Sequence, residues 1–312
     1  MEPITFEPIY MQRIWGGRRL EETYGRHLPD SDQLYGEAWE IVDREDAQSL
    51  VSSSEFFGKS LNHLWNNYRE EIFGENLPQF SRFPLLIKIL DCAADLSIQV
   101  HPPADVAEKF GGEPKTEMWY IADCKPGAKL YVGLKHGSTR TTFEQAISEG
   151  TIADQVHAII PEKGQSIFIP SGRLHAIGAD FLIHEIQQNS DTTYRVFDWN
   201  RTDPAGIPRE LHVAQSLACI DFTDLEPEMD TQGNDPSHLP KTLASCPHFT
   251  TTLHHLPPGE TFPHFASDRF SLVTIVSGSL ENKYRAGQTL LLPKFSAPLL
   301  ASEPSSILRI TL

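Results

Sequence analysis

The sequence predicts a mainly β protein with two β-barrel units and a few added helices. Apolar runs bounded by Pro, Gly and Asp fill residues 83–200, and similar runs return in 248–312. Two stretches repeat one phrase, GQSIFIPSGRLHAIG (164–178) and GQTLLLPKFSAPLLA (287–301). Duplication of a small β-unit explains this repeat. We therefore expect one unit over 1–225, with N-terminal strands and helical insertions, and a second over 242–312.

The strands of the first unit are predicted from runs of β-branched and aromatic residues. These runs are FPLLIKIL, LSIQVHP, EMWYIAD, KLYVGL, QSIFIP, FLIHEIQQ and TTYRVFDW. In the second unit they are HFTTTLHHL, RFSLVTIVSGSL, QTLLLP and SSILRITL. The polar run EPEMDTQGNDPSHLPK, 226–241, is the predicted linker between the units.

Three segments are predicted to be helical. Residues 55–74 carry apolar side chains every three or four positions, starting at Phe57, which is the period of an amphipathic helix. Residues 139–150 predict a short helix with Thr142 as its cap. Residues 209–219 predict a third helix.

Composition limits the possible partners and compartment. The chain has 312 residues and a net charge of −16, which argues against a nucleic-acid partner. A few local Lys and Arg side chains can still bind a small anion. No apolar run is long enough to span a bilayer, and the N-terminus lacks a signal peptide, so we expect no membrane partner. The four cysteines are far apart, which favours reduced thiols in a cytoplasmic protein.

Three strand segments carry side chains that suit a metal site. In LSIQVHP, alternation places Gln99 and His101 on one face, opposite Ile98 and Val100. In PKTEMWY, Lys115, Glu117 and Trp119 share a face. In GQSIFIPSGRLHAIG, His175 follows a turn at Pro170 and Gly172.

Each segment alone has an ordinary structural explanation, such as a hydrogen-bonded core histidine or a solvated Lys–Glu pair. Together they supply an amide oxygen, two imidazoles and a carboxylate from one β-unit. That is a mixed nitrogen and oxygen ligand set for a divalent metal with an open position. No cysteine lies near these residues in sequence, which disfavours a closed structural zinc site.

The spacing of Gly164, Pro170, Gly172 and His175 resembles the second motif of the cupin superfamily. Within that superfamily the chain resembles the short bacterial form of type I mannose-6-phosphate isomerase. The matching segments are FPLLIKIL, LSIQVHP, KTEMWY, PSGRLHAIG and EIQQNSDTTYRVFDWNR, with WGGRRLEE and GEAWEI near the start. The resemblance covers about residues 13–201, and it implies two cupin-type barrels (jelly rolls, or double-stranded β-helices).

The resemblance implies a role for individual residues. The zinc ligands would be Gln99, His101, Glu117 and His175, with one Zn²⁺ per chain. Arg195 would be the active-site arginine, four residues after Asp191. Lys115 would be the lysine beside the glutamate ligand, and therefore a second catalytic residue.

Two features differ from the general cupin pattern. In the first motif, Gln99 replaces the first histidine and Glu117 follows only after the loop DVAEKFGGEP. In the second motif, Ala179 stands where the general pattern ends in asparagine. Both features are typical of the isomerase family. The second unit has Phe295 and Pro298 where the first has Gly172 and His175. We expect it to lack the metal site and to pack against the first barrel.

The implied reaction interconverts D-mannose 6-phosphate and D-fructose 6-phosphate through a cis-enediol(ate). Arg195 would stabilise the enediolate or bind the substrate; otherwise it would be a surface arginine paired with Asp191 or Asp198. Lys115 could be the base or a phosphate contact, and Lys88 and Arg173 are other candidates for the phosphate. The sequence leaves these roles open, as it leaves open whether the protein is a monomer or a homodimer.

Two other functions suit the same ligand set. Two histidines and a carboxylate also bind Fe(II) in cupin oxygenases, although Gln99 and the phosphosugar motifs argue against that chemistry. The other alternative is a non-catalytic phosphosugar-binding cupin, which Lys115, Asp191 and Arg195 disfavour.

Overall fold

The computed structural model describes residues 1–202, 206–231, 240–262 and 268–312. The strands in these ranges are β1 (Ile4–Thr5), β2 (Ile9–Gly17), β3 (Tyr35–Ile41), β4 (Leu85–Cys92), β5 (Ile98–Val100), β6 (Glu117–Cys124), β7 (Leu130–Leu134), β8 (Val156–Ile159), β9 (Ser166–Ile169), β10 (His175–Ile177), β11 (Phe181–Gln188), β12 (Tyr194–Phe197), β13 (Lys241–Ser245), β14 (Thr250–Leu256), β15 (Thr261–Phe262), β16 (Ser271–Ser277), β17 (Ser279–Leu280), β18 (Tyr284–Arg285), β19 (Thr289–Leu292), β20 (Leu299–Leu300) and β21 (Ser305–Thr311). The α-helices are α1 (Arg19–Tyr24), α2 (Leu61–Asn67), α3 (Ala104–Phe110), α4 (Arg140–Glu149) and α5 (Val213–Cys219). A π-helical turn spans Arg69–Phe73 and a 3₁₀ turn spans Ile152–Gln155. The mainly β prediction is confirmed, and each predicted strand run contains a strand.

The first unit is a barrel of two facing sheets. One sheet has the order β12-β5-β10-β7-β8 and the other β2-β3-β4-β11-β6-β9. Apolar side chains from both sheets, including Leu90, Ile121, Val132 and Ile183, form one buried cluster. The strands keep alternate residues facing this interior, so polar side chains on the same face must also lie between the sheets.

All three helix predictions need correction in their limits or caps. The amphipathic helix predicted over 55–74 begins only at Leu61, where the Ser60 side chain accepts from the His63 backbone N–H. Phe57, assigned to its buried face, is 74% exposed. The regular helix ends at Asn67 and a π-turn follows. Periodicity located the apolar face but not these breaks, since a cap and a π-turn depend on local hydrogen bonding.

The helix predicted over 139–150 is α4, but Thr142 does not cap it. Thr139 is the N-cap, and its side chain accepts from the Thr142 backbone N–H. The Thr142 hydroxyl accepts in turn from the Thr139 N–H at 2.9 Å, which completes a capping box. The third predicted helix, 209–219, begins four residues later, at Val213.

The repeated phrase forms the same strand and turn in both units. Gly164 and Gly287 precede the strands with φ of 88° and 87°. After each strand a backbone N–H donates to a proline carbonyl at 3.1 Å, from Arg173 to Pro170 and from Ser296 to Pro293.

The third residue of each turn, two positions after the proline, lies in the left-handed region. Gly172 has φ 92° and Phe295 has φ 58°. A non-glycine side chain at positive φ is uncommon, so the second copy keeps the turn without the residue that favours it.

The second unit packs on the outer face of the first barrel. Its sheet has the order β1-β19-β16-β21-β14-β13, so the N-terminal strand pairs with a strand near the C-terminus, Ile4 opposite Leu291. Met118, Tyr120 and Ile186 share one buried cluster with Phe270 and Leu308. The opposite face of strands β6 and β11 points into the first barrel, where the candidate site lies.

Other predictions concern the linker, the cysteines and membrane spans. Half of the linker predicted over 226–241, residues 232–239, lies outside the described residues. Cys92, Cys124, Cys219 and Cys246 are free thiols. Among the helices described, none combines the length and the apolar character that a bilayer crossing requires.

Candidate metal centre and active-site cavity

Three candidate ligand side chains from three strands or strand ends meet inside the first barrel. His101, Glu117 and His175 are buried and each offers a ligand atom within 4.8 Å of the others. Nε2 of His101 lies 3.2 Å from Nε2 of His175. Oε2 of Glu117 lies 3.4 Å from Nε2 of His101, and its Oε1 lies 3.7 Å from Nε2 of His175. No other such group of His, Cys, Asp or Glu is found among the described residues.

Strand alternation and register explain this convergence. Ile98 and Val100 pack in the cluster outside the barrel, so Gln99 and His101 face inward. Met118 and Tyr120 likewise pack outside, so Glu117 faces inward. His175 lies directly opposite Gln99 in the antiparallel pair of β10 and β5.

Both imidazoles are oriented so that Nε2 faces the centre. Nδ1 of His101 lies 2.9 Å from the Thr192 carbonyl, and Nδ1 of His175 lies 2.9 Å from the Arg173 carbonyl. A carbonyl only accepts, so each Nδ1 carries the proton and each Nε2 keeps a lone pair. This is the arrangement in which a second hydrogen bond fixes a metal-binding histidine.

Gln99 lies beside these ligands. Its Nε2 is 3.4 Å from Nε2 of His175, and its Oε1 is 3.3 Å from the Ser97 hydroxyl. A half-turn of the carboxamide exchanges these nearly isosteric groups and directs its oxygen at the imidazoles. The carboxamide is therefore within reach of the group of ligands.

The electrostatics keep the donors in metal-binding form. Burial, and then the charge of Lys115, lower the pKa of His101. Burial, and then His101, lower the pKa of His175 to about 3. Burial opposes ionisation of Glu117, but Lys115 and the two histidines outweigh it and hold its pKa well below the usual range. The site thus holds two neutral imidazoles and one carboxylate.

The donor set fits a divalent cation. Oε1 of Glu117 is buried without a hydrogen-bond partner. The Lys115 ammonium lies 2.9 Å from Nε2 of His101 and forms an ion pair with Glu117, so a positive charge already sits among the ligands. Nitrogen and oxygen donors of this kind suit both zinc and iron.

A cavity of about 450 Å³ lies beside this group of residues. Gln99 and Lys115 lie on its wall. The ionisable side chains that line it are five bases and three acids: Arg13, Lys88, Lys115, Arg195, Arg209, Glu37, Glu185 and Asp191. An excess of bases is notable in a chain with a net charge of −16, and it favours an anionic ligand.

Lys88 lies at the centre of the acidic side of this cavity. Its ammonium is 3.5 Å from Glu185, 3.7 Å from Glu37 and 3.8 Å from Asp191. Burial raises the pKa of Glu185, and the neighbouring Glu117 adds to this effect against the two lysines. For Glu37 burial acts in the same direction, but Lys88 and Arg13 prevail and lower its pKa to about 2. Two carboxyl groups in one cavity therefore have opposite shifts.

Arg195 faces the cavity and pairs with neither Asp191 nor Asp198. It lies opposite Gln99 in the pair of β12 and β5, and its guanidinium donates to the Ser97 hydroxyl and the Glu210 carbonyl. Within the described part of the chain it forms no ion pair. Burial, and then repulsion from Arg209, lower the pKa of Arg195, so a bound anion would stabilise its charged form.

Arg173, one candidate phosphate contact, lies elsewhere. Both its Nε and Nη2 donate to the carboxylate of Asp224, at 2.8 and 2.7 Å. It is absent from the cavity lining. The other candidates, Lys88 and Lys115, line the cavity.

Four charged cavity residues were not predicted from the sequence: Arg13, Glu37, Glu185 and Arg209. Glu37 and Glu185 each lie in a strand whose other residues are almost all buried. A charged residue inside such an apolar run is the signal that could have identified both glutamates, because a charged side chain is rarely buried without a partner. No pattern marks Arg209, which belongs to an irregular segment.

Comparisons with known proteins agree with this geometry. Residues 4–124 match the model of the type I phosphomannose isomerase catalytic domain. The mannose-6-phosphate isomerase ManA of Bacillus subtilis is 34% identical over 94% of this chain and 93% of its own. The mannose-6-phosphate isomerase of Streptococcus mutans is 38% identical over 68% of this chain and 67% of its own.

Solved structures give the same result. The crystal structure of the Bacillus subtilis mannose 6-phosphate isomerase covers all of this chain and all of its own, with a TM-score of 0.87 and 30% identity. The apo Salmonella typhimurium enzyme covers 99% of each chain with a TM-score of 0.71, and at 14% identity it supports the fold alone. The chain is therefore a member of the type I mannose-6-phosphate isomerase family, with the cupin fold.

Proposed function

We propose that this chain interconverts D-mannose 6-phosphate and D-fructose 6-phosphate through a cis-enediol(ate), with one Zn²⁺ held by Gln99, His101, Glu117 and His175. The observation that carries the proposal is the convergence of three buried candidate ligands beside Gln99 and Lys115, which line a cavity with excess positive charge. The relatives named above support the choice of substrate.

The proposed metal has a defined chemical role. Zinc bound by these neutral Gln and His groups and one carboxylate would keep a net positive charge and would supply an electrophile for the sugar oxygens. Lys115 lies beside the same ligands. Its ammonium adds a second positive charge where the enediolate oxygen becomes negative.

Arg195 and Arg209 are proposed to bind the phosphate. They are the two guanidinium groups on the β12 side of the cavity, and the charge of Arg209 lowers the pKa of Arg195. Arg195 is one strand away from Gln99 and two strands from His175, or about 5 and 10 Å at the usual strand spacing. A hexose phosphate that extends from the metal ligands toward Arg195 would span this distance.

Glu185 is proposed to transfer the proton between C2 and C1. A useful base has a pKa near the working pH, and burial raises that of Glu185. Its Oε1 lies 3.5 Å from Lys88 and 3.9 Å from Lys115, close to the ligands but not among them. Lys115 then acts as an electrostatic catalyst, not as the base.

We also propose a cytoplasmic location, which the four free thiols support. The oligomeric state, monomer or homodimer, stays a prediction from sequence.

The test is a coupled isomerase assay on mannose 6-phosphate beside elemental analysis of the same sample. We expect about one zinc per chain, loss of turnover after chelation and recovery with zinc. Exchange of the C2 proton with solvent, followed by ¹H NMR, should accompany turnover. Full activity in a metal-free preparation would overturn the zinc assignment, and tight sugar-phosphate binding without proton exchange would overturn the reaction.

A further inference from the structure

We infer that Trp119 is a positioning residue for the isomerisation: its indole N–H holds Oε2 of Glu185, so that Oε1 is the oxygen presented to the substrate. This inference rests on the proton-transfer role proposed for Glu185. The indole acts through that carboxylate and does not itself contact the substrate.

Four side chains form one row across the inner face of the barrel. Trp39 on β3 is opposite Lys88 on β4, Lys88 is opposite Glu185 on β11, and Glu185 is opposite Trp119 on β6. Adjacent side chains in such a row lie close enough to interact directly. The row places the carboxylate between an ammonium group on one side and an indole on the other.

The two oxygens of Glu185 have different partners. The Trp119 indole N–H donates to Oε2 at 3.0 Å. Among the described residues, the ion-pair partners of Oε1 are the ammonium groups of Lys88 at 3.5 Å and Lys115 at 3.9 Å, both farther away than a short hydrogen bond. The indole therefore fixes the carboxylate plane and leaves Oε1 with its lone pairs available.

The same indole ring also touches a proposed metal ligand. Its centroid lies 5.3 Å from that of His175, with the planes at 81°. Trp119 is 1% exposed and is packed in the cluster between the sheets. One rigid ring thus fixes the relative position of the imidazole and the carboxylate, which is what orientation of catalytic groups requires.

Glu37, a second carboxylate of the cavity beside a tryptophan, does not depend on an indole alone for its orientation. The Trp39 indole donates to Glu37 at 2.6 Å, but Arg13 also donates to both oxygens of Glu37. Glu185 has no arginine partner among the described residues. Its orientation therefore depends on one indole, and loss of that N–H should be felt in the reaction.

The test removes the N–H with and without the ring. Trp119→Phe deletes the donor and part of the ring, whereas site-specific incorporation of 3-benzothienylalanine at Trp119 keeps the ring size and replaces the N–H by sulfur. We expect both to lower kcat by about 10- to 100-fold, the usual cost of a hydrogen bond to a charged group. KM for mannose 6-phosphate should change less than about threefold, because the sugar phosphate keeps its own contacts.

A matched control separates positioning from packing. Trp65 is also fully buried, and its indole donates to the Phe80 carbonyl at 2.9 Å, remote from the cavity. Trp65→Phe should reduce thermal stability as Trp119→Phe does, but leave kcat unchanged. If the benzothienyl variant retains the wild-type kcat, the inference is wrong.

A double-mutant cycle with Glu185→Gln distinguishes failure of the inference from failure of the proposed function. If Trp119 acts through Glu185, Trp119→Phe should have less than about a threefold effect on kcat in the Glu185→Gln background. An undiminished effect there would overturn the inference and leave the role of Glu185 intact. If Glu185→Gln itself keeps the wild-type rate of C2 proton exchange, the proposed base is wrong, and the inference fails with it.

Discussion

Replacement of Arg195 tests which end of the substrate this residue binds. Of the five N–H donors of a guanidinium, the Nε donor goes to Ser97 and one Nη1 donor goes to Glu210. The remaining donors can reach a phosphate in the cavity. The backbone N–H of Arg195 also bonds to His212 at 3.3 Å, so Arg195→Ala should preserve the strand.

The expected loss follows from the charge-assisted hydrogen bonds. Each one contributes about 1.5–3 kcal/mol, so loss of two bonds to a phosphate lowers kcat/KM by roughly 10²–10⁴-fold. The assay compares mannose 6-phosphate with unphosphorylated mannose in both proteins. Only the phosphorylated substrate should lose this factor; for mannose, kcat/KM should be nearly unchanged.

The surface arginine Arg140, which pairs with Glu144 in α4, provides the control. Arg140→Ala should change neither substrate's kcat/KM. Arg195→Lys keeps the charge but loses the planar fork, and should fall between Arg195→Ala and the wild type. An equal loss for mannose and mannose 6-phosphate would refute the phosphate assignment and place Arg195 at the enediolate.

Three further results are expected. Glu117→Gln should abolish the rise in thermal stability that zinc gives the wild type, because the carboxylate is lost; a full zinc-induced rise in the variant would contradict its role as ligand. The pKa of Glu37 is lowered to about 2, below its value near 4.5 in the unfolded chain. Ionised Glu37 therefore stabilises the fold by up to about 3 kcal/mol above about pH 4.5, and this stabilisation is lost as the pH falls toward 2. Urea unfolding should show that loss in the wild type and a shallower one in Glu37→Gln; equal slopes would refute it. Gly172→Ala should cost about 1–2 kcal/mol, because φ is 92° and the new Cβ would lie 3.1 Å from the Cys219 carbonyl, whereas Phe295→Gly in the matching turn should change stability by less than about 1 kcal/mol. Similar urea midpoints for these two variants would argue against the backbone explanation.

The prediction from sequence was most accurate where side-chain alternation alone decides the result. The inward direction of Gln99 and Glu117 follows from the buried Ile98, Val100 and Met118 on the opposite face, and each of these positions was readable from a few residues. The two copies of the turn were also readable, because glycine and proline encode local backbone geometry. Helix limits were less accurate: Thr139, not Thr142, caps α4, since both residues suit a cap and the neighbouring hydrogen bonds choose between them.

The cavity was less predictable because its residues come from strands far apart in the chain. Glu37, Lys88 and Glu185 meet only through the order β3-β4-β11, and Arg173 leaves the site because Asp224 binds it. Local sequence determined the alternation of faces, the turns and the types of donor, because neighbouring residues fix these. The tertiary structure decided the strand order, the row of Lys88, Glu185 and Trp119, and the opposite pKa shifts of the two glutamates. Burial and charge at one point depend on residues that the chain brings there from a distance.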